Sequence, residues 1–428
     1  MIKTKHNYTD YIFIILLLLN GGTFIKVLGI TALTQIVTVF LMFFLLLKNG
    51  GIFIKGTLRA ILVLVFSFLF INLFHFFEFN LDTFFNNQVI NFTILILIGI
   101  FFGNQFLNRN ISLVLKTNKI LKILIIHGIL SSIIISLFPT DNILFESIDE
   151  RSAYVGYLNL FFQRTNIIYT GELSKTMQTV LGFTFFRAHG IFWESGVFST
   201  YVNIYVFINF FIFKNLKSLY LTIPALIISW STAGLLIFLL QSVVFFKDYK
   251  KSESGMVLKK YVVGLIAFVF MGTLVIDNYS NKMTGNDKGS AAQRFTDTMG
   301  AFSVIKNNPI IGVGVEFKNF ERQMKEATID FSSLLGSSFK DSNKDEVNFS
   351  NSFLQLFVYF GIVFGLILLY ALYRQTLIPQ KKWLFLLITV LSVSSSPILF
   401  LGFHFTFIIS GLRAMIPLLK QKDNKLKL

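Results

Sequence analysis

The sequence predicts an all-α, polytopic membrane protein of about twelve transmembrane helices with a large, partly helical loop outside the cytoplasm. Hydrophobic residues make up 54% of the 428 residues, and mean hydropathy is +0.68. A soluble domain holds roughly 45–50% apolar residues even with glycine counted. The apolar residues come in blocks, many long enough for the roughly 17–25 residues that span a bilayer. Between the blocks, Lys and Arg gather in alternate loops, the pattern that sets membrane orientation.

Taken in order, the expected spans are 10–27, 29–47, 57–77, 88–107, 119–138, 191–213, 217–231, 232–246, 258–276, 348–373, 382–397 and 398–416. Gly21, Gly22 and Lys26 interrupt the first pair. The first run, 11–19, lacks a small-residue cleavage site and leads into more apolar sequence, so it reads as a retained helix. The seventh and eighth spans are short enough for a tight or tilted hairpin. With this count, most of the 38 Lys and Arg fall on one side, together with only Asp10, Asp248, Glu253 and Asp423 of the 22 acids. That side is expected to be cytoplasmic and to hold both termini. The chain 1–428 reads as one integral membrane domain, without internal repeats. Its two long outward segments are 139–190 and 277–347. The second mixes charge with short apolar patches and is expected to be a folded cap. Within it, 291–306 reads as an amphipathic helix with Phe295, Met299, Phe302 and Ile305 near one face, ended by Asn308-Pro309.

Composition also removes function classes. The net charge of +16 lies in short loops between spans, which argues against a nucleic-acid partner. There is no cysteine, hence no disulfide framework and no thiolate chemistry. The 53 Phe read as lipid-facing surface. No acidic cluster has metal-ligand spacing, so neither a metal nor another cofactor is expected.

Five motifs stand out from this apolar background. RAHGIFWESGVFS (187–199) opens the sixth span with three ionisable groups, Arg187, His189 and Glu194. Such groups at membrane depth usually face a cavity or a partner, although Glu194 could equally complement a helix dipole and Arg187 could anchor at headgroups. SWSTAG (229–234) offers small hydroxyl residues, suited to close helix packing or to a hydrogen-bonding floor for a polar headgroup. SAAQR (290–294) heads the amphipathic helix with Arg294, whose planar fork suits phosphate oxygens. NNPIIGVGVEFKNF (307–320) carries Gly312 and Gly314, which permit a tight turn or close backbone approach. No strand–helix unit surrounds them, so this is no dinucleotide fingerprint. NFSNS (348–352) opens the tenth span, with Gly361 and Gly365 further along. Its polar residues can cap the helix or line a site.

In order and spacing, 187–365 resembles the O-antigen polymerase and ligase superfamily of bacterial membrane glycosyltransferases. GIFWESGVFS is similar to that family's G-x-F-x-E-[PS]-G, and NPIIGVGVEFKNF to its P-x-x-G-x-G-x-x-x-F. Ligases of the family carry His immediately before Asn at the start of the tenth span. Here Ser350 precedes Asn351, which favours the branch that polymerises repeat units. The resemblance implies oligosaccharides carried on undecaprenyl pyrophosphate, joined at the outer face of the bacterial cytoplasmic membrane into O-antigen, capsule or exopolysaccharide. A chain-length regulator is a candidate partner. Arg187 and Arg294, with Arg164 and Arg322 in reserve, are the candidate pyrophosphate-binding residues. Glu194 is the first candidate for the acid–base role, followed by His189 and Glu316. Ser350 and Asn351 are candidate substrate-binding residues. A ligase that transfers polymer to lipid A core is the rival within the family. A flippase or transporter of lipid-linked sugars is the rival outside it, but such proteins often show two related halves, and none is evident.

Overall fold

A backbone in hydrocarbon must satisfy its own N–H and C=O groups, and a helix does so within one segment. The computed structural model describes residues 8–26, 29–49, 56–80, 84–137, 144–149, 152–157, 161–166, 177–180, 183–249, 272–276, 288–326 and 351–416. Five helices precede the first long loop: α1 (Tyr8–Leu19), α2 (Thr31–Lys48), α3 (Thr57–Glu78), α4 (Asn87–Gln105) and α5 (Asn110–Leu137). Then come β1 (Leu144–Asp149), β2 (Ser152–Tyr157), β3 (Phe161–Asn166), β4 (Met177–Val180) and β5 (Phe183–Phe186). Among the described residues, the named helices that follow are α6 (Ser195–Phe207), α7 (Leu219–Ser229), α8 (Thr232–Tyr249), α9 (Lys288–Asn307), α10 (Phe317–Glu326), α11 (Ser352–Arg374), α12 (Lys382–Ser395) and α13 (Gly402–Met415). Among the described residues, six helices are long and apolar enough to cross a membrane: α2 to α5, α11, and α6 with its continuation to Ile212. Shorter apolar helices occupy Tyr8–Leu19, Leu216–Ser229 and Lys382–Ser395. Of the expected span 258–276, only 272–276 lie within the described residues, and they are helical.

Two features differ from the sequence reading. The segment 139–190 holds strands: β1-β2-β3 form an antiparallel sheet, and β4 and β5 a hairpin. Their β-branched and aromatic residues suit a pleated surface, a signal overshadowed by the hydropathy of the neighbouring blocks. The fifth span also starts at Asn110 rather than 119, because Lys116, Lys119 and Lys122 do not interrupt helical geometry.

The chain divides into two compact units. The first takes 1–21, 31–114 and 289–428. There α4 packs against α1, α2, α3 and α13, and α11 packs against α12 and α13. Missing side chains allow the closest crossings. A Cβ on Gly99 would lie 2.8 Å from Cβ of Ile409, and one on Gly411 would overlap the Ala371 carbonyl. Such small-residue contacts let apolar helices gain packing where lipid supplies no hydrophobic drive. Phe92 centres an aromatic cluster with Phe68, Phe360 and Phe405 at ring distances of 5.6, 6.1 and 5.7 Å.

The second unit takes 22–30 and 115–288. Here α6 packs against α7 and α8. Asn203 Nδ2 donates to the carbonyls of Ser199 (2.9 Å) and Gly234 (3.0 Å), and Gln241 Nε2 donates to Asn203 Oδ1 (2.9 Å). This buried amide pair ties α6 to α8 and satisfies groups that hydrocarbon could not.

Candidate functional site

In the second unit, the chain after β5 turns at Gly190 and is pinned on both flanks before it enters α6. Ala188 N–H donates to the Ile228 carbonyl (3.0 Å). Phe24 N–H donates to Ile191 O (2.9 Å), Trp193 N–H to Gly22 O (3.2 Å), and Thr23 pairs with Phe192 as an antiparallel bridge. Gly190 turns the chain at φ +57, where a Cβ would stand 3.2 Å from Cα of Gly128. Phe192 stacks on Tyr201 at 4.5 Å. Gly190 and Phe192 of the motif therefore build a rigid approach to the helix.

That approach delivers Glu194 to the N-cap of α6, with extended backbone (φ −152, ψ 158). Capping normally means that a side-chain oxygen accepts an N–H of the first turn, but Glu194 makes no such bond. Its Oε1 is buried and meets no hydrogen-bond donor among the described residues. A buried carboxylate oxygen without a donor among the described residues is costly and is chemically able to accept a proton or a hydrogen bond. Arg187 has a visible structural task. Its Nε donates to Ser229 O (3.2 Å) and its Nη2 to Trp230 O (3.1 Å). These carbonyls end α7, where Trp230 adopts a left-handed conformation at φ 46, so the guanidinium satisfies orphan groups of a helix C-terminus. His189 is buried, and its carbonyl accepts from Phe192 N–H (3.1 Å). In SWSTAG, Ser231 Oγ accepts from Gly234 N–H (3.2 Å), and a Cβ on Gly234 would meet Ser199 at 2.6 Å. Close packing is what these small residues provide. Arg164 stands on β3 opposite Tyr154.

The first unit holds the other candidates. α9 runs to Asn307 and stops before Asn308-Pro309, as its sequence signals. The buried face differs from the expected one: Asp297, Gly300, Ala301 and Val304 turn inward, while Phe302 is 53% exposed. Arg294, in the first two turns of the same helix, is exposed.

The turn 308–316 then plugs into a break in α11. At Gly361 (φ 70, ψ 177) that helix leaves helical geometry. Its orphaned groups are taken up by the turn: Val313 N–H donates to Val358 O (2.9 Å), Gly314 N–H to Tyr359 O (3.0 Å), and Ile362 N–H to Pro309 O (2.7 Å). A Cβ on Gly312 or Gly361 would run into the facing backbone, so the glycines of two distant motifs form one joint. His75 of α3 completes it. Its Nε2 lies 2.9 Å from Ile311 O, a carbonyl that only accepts, so Nε2 carries the hydrogen. Gly314 sits against the His75 ring, where a Cβ would lie 3.1 Å away.

Beyond the joint, Glu316 precedes α10, and Arg322 Nη2 donates to Asn319 Oδ1 (2.7 Å). Asn319 Nδ2 in turn holds Val313 O (2.6 Å). Asn351 caps α11 by accepting from Leu354 N–H (3.1 Å), while Ser350 lies outside the described residues. Arg187, His189 and Glu194 thus share one pinned stretch of one unit. Arg294, Glu316, Arg322 and Asn351 belong to the other.

Three polar groups have partners that the sequence did not specify. Asp10 is fully buried and receives Arg109 (2.6 Å), Gln105 (2.7 Å) and Ser112 (3.1 Å). An acid inside a membrane helix was the available signal. Ser352 Oγ donates toward Val393 O and Ser396 O (3.0 Å each) and accepts from Leu399 N–H (3.1 Å), tying α11 to the α12–α13 turn. His75 carried no signal, because its partner is a backbone carbonyl far away in sequence.

Residues 218–370 match the family described as O-antigen ligase. The matched segment includes α7, α8, α9, the plugged turn, α10 and most of α11. No curated protein and no solved structure matches the chain.

Proposed function

On the premise that the match over 218–370 supports the O-antigen polymerase and ligase superfamily, we propose that the chain is a membrane glycosyltransferase that polymerises lipid-linked oligosaccharide repeat units. The donor is a growing chain on undecaprenyl pyrophosphate at the outer face of the cytoplasmic membrane, with both ends of this protein in the cytoplasm. A hydroxyl of the incoming unit attacks the anomeric carbon. The carbon–oxygen bond to pyrophosphate breaks, and the lipid pyrophosphate leaves with that electron pair. The hydroxyl proton goes to a base.

One observation carries the assignment of the base: the buried, donorless Oε1 of Glu194 on a backbone fastened from both sides. A general base needs hydrogen-bond reach to the proton it takes, and an oxygen without protein donors keeps its lone pairs for that purpose. Arg294, exposed on α9, meets charge that develops on the leaving pyrophosphate. Arg187 and Arg322 are each engaged by carbonyl or amide oxygens of their own unit, which makes them weaker candidates for the same task. A pyrophosphate-linked donor carries its own driving force, so the chemistry asks for no nucleotide and no resident metal. Ser350, where ligases have His, favours polymerase over ligase.

The test is the glycan profile of a strain lacking the chain and complemented with variants. Glu194→Gln and Arg294→Ala are expected to leave single repeat units and no polymer, at normal protein level. Normal chain length in both would remove the assigned roles. Free lipid-linked polymer in the deletion strain would indicate a ligase, and units trapped inside would indicate a flippase. Purified protein with defined lipid-linked units reads the same reaction directly.

A further inference from the structure

The turn 308–316 connects two helices that the sequence places in an aqueous cap, yet it is bonded into the middle of a membrane span. We propose that this turn is re-entrant: its tip, Pro309 and Ile310, lies among the acyl chains of the bilayer, and lipid is its partner. The inference stands apart from the reaction assigned above, since it needs neither the substrate nor the orientation of the chain.

Depth is the first argument. The break that receives the turn, Gly361, stands nine residues inside the Ser352 end of α11, about 13 Å at 1.5 Å per residue. His75, which holds Ile311, stands three residues inside the Glu78 end of α3, about 5 Å on the same rise. Both helices are candidate spans, and both place the turn inside their ends.

The second argument is the surface. Ile310 is 65% exposed and Phe302, two turns earlier on α9, is 53% exposed. Pro309 is bonded to Ile362, which with Val363 and Leu366 forms the exposed apolar flank of α11. The tip thus extends the exposed apolar surface of a candidate span. Exposed Lys306, one turn before the tip, has the long stem that lets a cation reach headgroups while its body stays apolar.

The third argument is the backbone. Irregular chain survives at membrane depth only where protein satisfies its polar groups. Here Asn308 O takes Gly312 N–H (3.2 Å), Pro309 O takes Ile362 N–H, and Ile311 O takes His75. Val313 and Gly314 give their N–H groups to α11, and Pro309 has none to give. A turn in water needs no such provision.

The natural chain has no cysteine, so single thiols report cleanly. Ile310→Cys and Lys318→Cys are each labelled with bimane and reconstituted in vesicles containing lipids with doxyl groups on the acyl chains. Both positions are exposed, so neither label has to enter the protein interior. Quenching several-fold stronger at 310 than at 318 is expected. Quenching at 310 equal to or weaker than at 318 overturns the proposal. Phe302→Cys, expected between the two, serves in place of Ile310→Cys should that variant fail to fold.

Discussion

Asp10 and Glu194 are both carboxylates within apolar surroundings, and their environments separate structure from chemistry. Asp10 is surrounded by donors: a guanidinium at 2.6 Å, an amide and a hydroxyl. Removing one partner of a buried ion pair costs about 3–5 kcal/mol. Because the Arg109 side chain keeps 36% of its surface in solvent, Arg109→Ala is expected to cost less, roughly 2–3 kcal/mol. Asp10→Asn combined with Arg109→Gln should restore most of that loss. Thermal unfolding in detergent checks both, and an Arg109→Ala melting temperature equal to wild type would show that the pair contributes nothing. Glu194 differs because its backbone, rather than its carboxylate, is held. The bonds at residues 188, 191 and 193 fix the chain, while its Oε1 meets no hydrogen-bond donor among the described residues.

At the scale of elements, the joint between the turn 308–316 and α11 stands out. Helix interruption normally orphans carbonyls and N–H groups, but here the turn supplies their partners. Gly361 occupies a region that only glycine visits at low energy, and a side chain there carries about 1–3 kcal/mol of strain before any overlap with the Ile310 carbonyl. Gly361→Ala is therefore expected to lower the unfolding temperature markedly and to reduce polymer. Gly272→Ala, whose Cβ would meet nothing within 4 Å among the described residues, should do neither. Equal effects of the two substitutions would contradict the joint. The same contact gives a physical reason for the paired glycines of the two motifs: they are two sides of one close approach.

For the whole molecule, the charge pattern predicts orientation. Arg109 bonds Asp10, and Asn110 bonds the Thr376 carbonyl (2.8 Å). These contacts join the first turn of α1 to the loops after α4 and α11, which the Lys and Arg count assigns to a common side. Cysteines at Lys48 and Lys381 should therefore react with an impermeant maleimide from the cytoplasmic side only, and one at Lys318 from the opposite side only. Finding Lys318→Cys on the same side as Lys381→Cys would sink both the twelve-span count and the external reaction site.

The sequence by itself determined the membrane class, the positions of nearly all described helices and the stop of α9 at Asn307, because twenty-residue apolar runs, Lys and Arg clusters and Asn-Pro are local signals. It also singled out Glu194 and the glycine motifs, since ionisable and glycine residues are conspicuous in apolar sequence. Tertiary structure alone decided what those residues do. That Arg187 closes α7, that Gly312 meets Gly361, that His75 holds Ile311 and that α9 buries Gly300 and Ala301 rather than Phe302 are facts about close approach between distant segments. Close approach is governed by missing atoms and by backbone groups seeking partners, and neither leaves a periodic trace in the chain.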